Sequence, residues 1–295
     1  MNYERYRSEA SDINFFGRLE GSIDSPFVSA EVVDLSKKNW QKSDFQLAKW
    51  HVHAEDHVTY QSNKGLVHFK SRNQDGIYEV LYEPVAYELG KKYLGLDYPA
   101  TTASYFFNNN TLIIGTLSHA FFTQTLHTAS SVFQSVFFKR LDPYSFLGET
   151  VAAIWYRNWD WLGEKYDSVI FGQNLSGSSA YYIIDRTHIF KGPRGDISQD
   201  QLKNYEINNV WWWNKNNSKI KLENCLPFVK KIERIPDEVI KAICLKWADK
   251  IGEIDNINKN RYLRMAEDLA SYLIGNKWLV RQELSAYFNH GILSI

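Results

Sequence analysis

The sequence predicts an α+β protein, with strands gathered in the first part of the chain and helices in the last. Three observations carry that expectation. Short β-rich runs bounded by turn residues recur between His57 and Ile114. Apolar residues fall at helical spacing from Pro236 onward. The composition is that of a globular chain, with 44% hydrophobic and 23% charged residues among 295, which is enough for a sizeable core and speaks against disorder.

The elements follow in chain order. Phe27 to Val33 reads as a strand. His57-Val58-Thr59-Tyr60 and Leu66-Val67-His68-Phe69-Lys70 flank Ser62-Asn63-Lys64-Gly65, which has turn chemistry. Val80, Leu81, Val85, Leu89 and Tyr93 then recur near helical spacing. Because proline belongs in a first turn, Pro84 places the start of this helix near Tyr82, and Gly95 ends it with Pro99 beyond. Ala103 to Phe107 and Thr111 to Ile114 form a hairpin around Asn108-Asn109-Asn110. Phe146, Val151, Ile154 and Trp155 mark a helix from Phe146 to Arg157. A second hairpin joins Ser168–Phe171 to Ala180–Ile184 across a Gly/Ser-rich turn, Asn174 to Ser179.

After Pro236, the acids Asp237 and Glu238 suit the positive end of a helix dipole. Val239, Ile240, Ile243, Trp247 and Ile251 share one face of that helix. Two more helices are expected, from about Asn260 to Ile274 and from about Lys277 to Phe288. No internal repeat or low-complexity linker interrupts the chain. The expected organisation is an N-terminal extension over 1–55, a strand-rich part over 56–118 and a helical part over 119–295.

Charge excludes some functions. Lys plus Arg and Asp plus Glu each total 34, so the net charge is zero. That rules out wholesale electrostatic binding to nucleic acid or an anionic membrane. No apolar run reaches the roughly 18 residues of a membrane span. The polar start, with no apolar stretch behind it, predicts no signal peptide. The two cysteines, Cys225 and Cys244, form no CxxC. A disulfide framework and a thiolate metal site are therefore not expected, and a reducing, cytoplasmic compartment is. His51 and His53 share a strand face without a third ligand, which argues against zinc. Trp211-Trp212-Trp213 suits either a base-stacking platform or a buried anchor. The absence of a basic run favours the anchor, so nucleic acid is not indicated as a partner. The basic loop Lys191-Gly192-Pro193-Arg194-Gly195 is open to two readings, substrate contact or a solvated loop.

Chemistry can sit at three places. Lys70 ends an apolar strand; such a lysine is either solvated or reaches nucleotide phosphates with help from an acid on the next helix, Glu83 or Glu88. Asp160 follows a helix in Asn158-Trp159-Asp160-Trp161, and Asp185 ends a β-branched, aromatic strand. Each aspartate alone is more often a turn residue. The ordered set of lysine, helix, hairpin, aspartate, hairpin, aspartate is the layout of a phosphoryl-transfer site. One acid orients the acceptor hydroxyl, and the other offers oxygen to hard Mg²⁺. No Gly-rich phosphate loop accompanies the set.

These segments resemble the HipA-like kinases, compact bacterial enzymes distantly similar to phosphatidylinositol and protein kinases. The resemblance covers about residues 55–290. It rests on Val67-His68-Phe69-Lys70, on Glu83 through Leu96 with Pro99 after it, on Ala153 through Asp160, on Tyr182-Ile183-Ile184-Asp185-Arg186, and on Trp278 through Leu284. It implies a two-lobed protein-kinase-like fold that uses ATP and Mg²⁺. It further implies transfer of the γ-phosphate to a hydroxyl, Ser or Thr of a protein substrate or partner subunit, in a bacterial toxin or phage-defence setting.

By the same resemblance Asp160 is the catalytic acid, Lys70 contacts phosphates, Asp185 binds Mg²⁺ and Gly115, Thr116 and Leu117 lie at the hinge under adenine. Either Glu83 or Pro84 falls at the position of the acid that pairs with Lys70. Asp167 or Ser168 stands where the family has a second, asparagine metal ligand, and Trp161 stands where it has arginine. Those departures leave three alternatives on the same fold: a catalytically degenerate nucleotide sensor or scaffold, an enzyme that transfers AMP, and a small-molecule kinase.

Overall fold

A computed structural model describes residues 17–18, 25, 27, 30–43, 57–71, 77–96, 100–120, 126–128, 147–157, 169–173, 179–183 and 221–290. The strands are β1 (Gly17–Arg18), β2 (Val33–Asp34), β3 (Gln41–Lys42), β4 (His57–Ser62), β5 (Gly65–Ser71), β6 (Thr101–Asn108), β7 (Thr111–Ala120), β8 (Leu126–Thr128), β9 (Val169–Gln173) and β10 (Ser179–Ile183). The helices are α1 (Ile77–Leu89), α2 (Leu147–Tyr156), α3 (Leu222–Glu233), α4 (Asp237–Ile254), α5 (Lys259–Lys277) and α6 (Leu279–His290). The α+β expectation holds in this arrangement.

Turn chemistry sets the register of the larger sheet. Asn109 and Asn110 take φ of 47° and 64°. Left-handed values at both central residues define the type I′ turn that matches strand twist. That turn locks Asn108 opposite Thr111 and extends the pairing to Thr101 opposite Ser118. At the other hairpin Gly65, with φ 115°, pairs with Ser62, whose hydroxyl donates to the Gly65 carbonyl at 2.7 Å. The resulting six-stranded sheet has the order β2-β6-β7-β5-β4-β3 and is antiparallel except for β2 against β6. Its two edges are residues 33–34 and 41–42. The other sheet runs β1-β10-β9-β8, with β1 parallel to β10.

The large sheet separates two cores, because side chains alternate between its faces. One face carries Val67, Phe69 and Leu117 onto Phe27, Val33 and Leu35 of the N-terminal segment. The other face carries Ala103 and Ile114 into a core built from α1 and the later helices. Gly115 makes the first packing possible. A Cβ there would run into the Lys70 carbonyl and come within 2.9 Å of the Phe69 ring. Without it, Phe69 reaches Phe106 edge-on, with 5.5 Å between ring centroids.

Helix α1 begins at Ile77, five residues before the start that Pro84 implied, and holds Pro84 inside it. Proline there costs the hydrogen bond to the Val80 carbonyl. Burial offsets that loss, since Val80, Leu81, Val85, Ala86 and Leu89 are all 0% exposed. Each such side chain contributes on the order of 1.5–3 kcal/mol, alanine less. A single π-helical turn, Gly90–Leu94, follows, and Gly95 closes it in the left-handed region at φ 70°, as expected of a terminal glycine.

Helix α4 starts at Pro236 as its cap and buries Ile240, Ile243, Trp247 and Ile251, the face read from the sequence. Helix α3 contains Pro227 yet buries Cys225, Val229 and Ile232 at helical spacing. No helix among the described residues is long and apolar enough to cross a membrane.

Candidate functional site

Lys70 lies on β5 directly opposite Thr116 of β7. Opposed residues in an antiparallel pair share a face, and this face is the one that α1 and the helical core cover. Two residues along, Thr59, His68, Ser118 and Thr101 are consecutive cross-strand partners over four strands. Thr59 Oγ1 and His68 Nδ1 are 2.8 Å apart, and Thr101 Oγ1 and Ser118 Oγ are 3.2 Å apart. The half-buried Lys70 thus borders a row of hydroxyl and imidazole groups on an otherwise apolar sheet. The sequence signal for this row was the alternation of polar and apolar residues on both strands.

Gly115 and Leu117 lie on the opposite face, so only Thr116 of the three hinge candidates shares a face with Lys70. Leu117, 0% exposed, belongs to the N-terminal core. The strand also continues to Ala120, and all three residues are paired with both β5 and β6. Main-chain groups in such a central strand are spent on the ladder.

The two acids of α1 have different surroundings. Glu88 accepts from Lys246 Nζ at 2.6 Å and from Trp247 Nε1 at 2.9 Å, both on α4. Lys246 also lies over the Trp247 ring, 5.6 Å from its centroid. Glu88 is therefore committed to the helical core. Glu83, five positions earlier, projects from a different side of α1 and is 6% exposed.

The end of α2 is held from three directions. Trp155 Nε1 donates to the Leu273 carbonyl of α5 at 2.9 Å, and the Tyr156 hydroxyl donates to the Ala86 carbonyl of α1 at 3.1 Å. Arg157 follows with φ 54° and pairs bidentately with Glu283 of α6, Nη1 to Oε2 at 2.6 Å. Asp160, Asp167, Ser168 and Asp185 lie outside the described residues, as do Trp211-Trp212-Trp213, the 191–195 loop and His51 and His53. The hairpin expected between the two aspartates is present as β9 and β10, and β10 ends at Ile183, two residues before Asp185. Among the described residues, no cluster of His, Cys, Asp or Glu could hold a metal ion.

Both cysteines are buried and unpaired with each other. Burial pushes the Cys225 thiol up to about 12 and raises that of Cys244 as well. Neither is a nucleophile at neutral pH.

No protein-family model matches this sequence, and no curated protein matches it. Among solved structures, the chain is similar to the Helicobacter pylori proinflammatory kinase CtkA, with 17% identity and a TM-score of 0.49 over 86% of this chain and 99% of that one.

Proposed function

We propose that this protein is a phosphotransferase that uses ATP and Mg²⁺ to phosphorylate a hydroxyl, Ser or Thr of a protein. The observation that carries the reading is Lys70 on the sheet face that α1 covers, with Glu83 buried in α1 while Glu88 is drawn away to Lys246 and Trp247. A buried carboxylate needs a cationic or hydrogen-bonding partner, and a phosphate-binding lysine needs an acid to orient it. Sequence order supports the same reading, because α2 leads toward Asp160 and the β9–β10 hairpin leads into Asp185.

In this reading Lys70 binds the phosphate chain and Glu83 orients it. Thr116 and the His68–Ser118 row line the same face. Asp160 accepts or orients the acceptor hydroxyl, and Asp185, with Asp167 as a second oxygen donor, would hold Mg²⁺. The ion would supply charge neutralisation for the phosphates. A role as a toxin or phage-defence effector belongs to the same proposal.

The test measures Mg²⁺-dependent ATP binding and then transfer from γ-labelled ATP in lysate. Wild type is compared with Lys70→Ala, Asp160→Ala and Asp185→Ala, all shown to be folded. Transfer that is lost in the variants supports the reading. Binding without transfer in wild type replaces it with a nucleotide sensor, and no binding at all removes the site.

A further inference from the structure

We propose that residues 34–41 are a taut cross-tie: they hold the six-stranded sheet curled and so fix the spacing of the side chains on its Lys70 face. The part that concerns Lys70 rests on the phosphotransferase reading given above.

Chain length requires the curl. Asp34 pairs with Tyr105 at one edge of the sheet, and Gln41 pairs with Gln61 at the other. Six strands leave five spacings between those edges, about 24 Å in a flat or merely twisted sheet. Register adds a second displacement. Through β6, Asp34 is level with Ile114 of β7; through β4 and β5, Gln41 is level with Ala120. Those levels lie about 20 Å apart along the strand, so a flat sheet sets the two ends about 31 Å apart. The connecting chain is shorter than that. Leu35–Lys37 is a 3-10 helical turn, rising about 2 Å per residue, and the whole path reaches about 20 Å. Only a sheet curled toward the tie brings both edges within reach.

The tie crosses the concave face. Leu35 and Trp40 pack there with Val67, Phe69 and Leu117, and the Trp40 and Tyr60 ring centroids are 6.4 Å apart. His68, Lys70, Thr116 and Ser118 take the opposite face, so the curl sets how far their side chains splay.

The two ends are anchored unequally. At β2, Val33 enters the N-terminal core while its neighbour Val32 packs against the helical core. Thr102 Oγ1 donates to the Glu31 carbonyl, and Lys250 Nζ of α4 donates to the Ala30 carbonyl, each at 2.6 Å. At β3, Gln41 and Lys42 are exposed, and Ser43 N donates to the Thr59 carbonyl at 2.9 Å. Ser36 to Asn39, between the ends, are exposed as well. With so little buried there, the β3 end releases first, and its release lets β4 and β5 flatten.

Length and attachment are tested separately on the full chain. Inserting about 4 Gly and Ser residues between Lys38 and Asn39 lengthens the tie by about 13 Å. A mere connector tolerates that, because longer loops cost little. Ser43→Pro removes the main-chain donor to Thr59, and Ser43→Ala keeps it. Hydrogen exchange and affinity for ATP with Mg²⁺ are measured for wild type and the three variants. Exchange in β4 is expected to be about tenfold faster in the insertion variant and in Ser43→Pro, with Ser43→Ala like wild type and exchange in α5 unchanged. ATP affinity is expected to fall about tenfold in the same two variants.

Exchange in β4 within about twofold of wild type in the insertion variant overturns the cross-tie. So does equal acceleration in α5, which reports global destabilisation. Faster exchange in β4 with ATP affinity unchanged overturns the coupling to the Lys70 face. A wild type that binds no ATP defeats the phosphotransferase reading instead, and exchange alone then decides the cross-tie.

Discussion

Replacing Glu88 and Glu83 one at a time separates a structural acid from a site acid on the same helix. Glu88 holds Lys246 and the Trp247 indole N–H together. The Lys246 side chain is 36% exposed and that of Glu88 18%. The ion pair is thus partly solvated, and losing its charge at Glu88→Gln costs about 1 kcal/mol. Glutamine still offers an oxygen to Trp247. Glu88→Ala removes that oxygen too, and Trp247 is 0% exposed. A buried donor left without an acceptor costs about 1–3 kcal/mol more.

Urea unfolding followed by circular dichroism is therefore expected to show Glu88→Ala about 2 kcal/mol less stable than Glu88→Gln. Equal stabilities would refute the role given to the indole bond. Nucleotide affinity reads the other half. Glu83→Gln is expected to weaken ATP binding about tenfold, or ~1.4 kcal/mol, whereas Glu88→Gln leaves it within about twofold. The reverse order would make Glu88 the partner of Lys70 and would overturn the assignment of Glu83.

The buried groups of the fold give three further outcomes. Gly115→Ala crowds the Lys70 carbonyl and the Phe69 ring, neither of which can swing aside; it is expected to cost about 1–3 kcal/mol in urea unfolding, and a neutral result would refute the packing argument. Cys225 and Cys244 are expected to resist a thiol reagent in the native protein at pH 8 and to react fully in denaturant, because burial raises both thiols. Rapid native modification of either would contradict that burial.

His119 is held below its ordinary value of 6.5, chiefly by burial, against an opposing hydrogen bond to the Lys64 carbonyl. The unfolded chain then binds the proton more readily, so this stability is complete above the unfolded value and is lost as pH falls through it. The stability gap between wild type and His119→Gln is expected to narrow from pH 7.5 to 5.5, roughly one unit either side of that value. A gap that widens on acidification would refute the sign.

What could be read from the sequence was what is decided locally. The Asn109-Asn110 turn, the Gly95 terminus and the buried stripe of α4 each depend on residues a few positions apart. Two helices carry an internal proline. Pro84 moved the expected start of α1 too far along, and α3, which holds Pro227 beside its Cys225, Val229 and Ile232 stripe, was not among the expected helices. In each case full burial on one face outweighs a single lost hydrogen bond. Of the strand expected over Phe27 to Val33 only Val33 is in a strand among the described residues, as part of β2, and β3 was not foreseen, since two-residue strands carry no periodicity and exist only through their partners β6 and β4.

The candidate site divides the same way. The sequence named Lys70 at a strand end and Thr116 as a hinge residue after Ile114, whereas their lying opposite each other on β5 and β7, and the face each side chain takes, follow from register. Register is what assigns Leu117 to the other core. The choice between Glu83 and Glu88 depended on Lys246, 158 residues beyond Glu88.

Helix α1 links these parts into one frame. Its sheet-side surface meets the core that Ala103 and Ile114 enter from the Lys70 face. It is also hydrogen-bonded to the helical core, Ala86 to Tyr156 and Glu88 to Lys246 and Trp247, and the π-helical turn after it adds the Leu94 carbonyl to Lys231 at 2.9 Å. The first of these comes from α2, one residue before Arg157. The element that faces Lys70 and the element that leads toward Asp160 are therefore joined by a direct bond, Tyr156 to Ala86. A shift of α2 moves α1 with it, because neither end of that bond can rotate away: Tyr156 is 1% exposed and Ala86 0%. Substitutions deep in the helical core, far from any ligand, should consequently alter the Lys70 face and the α2 exit together and not one at a time.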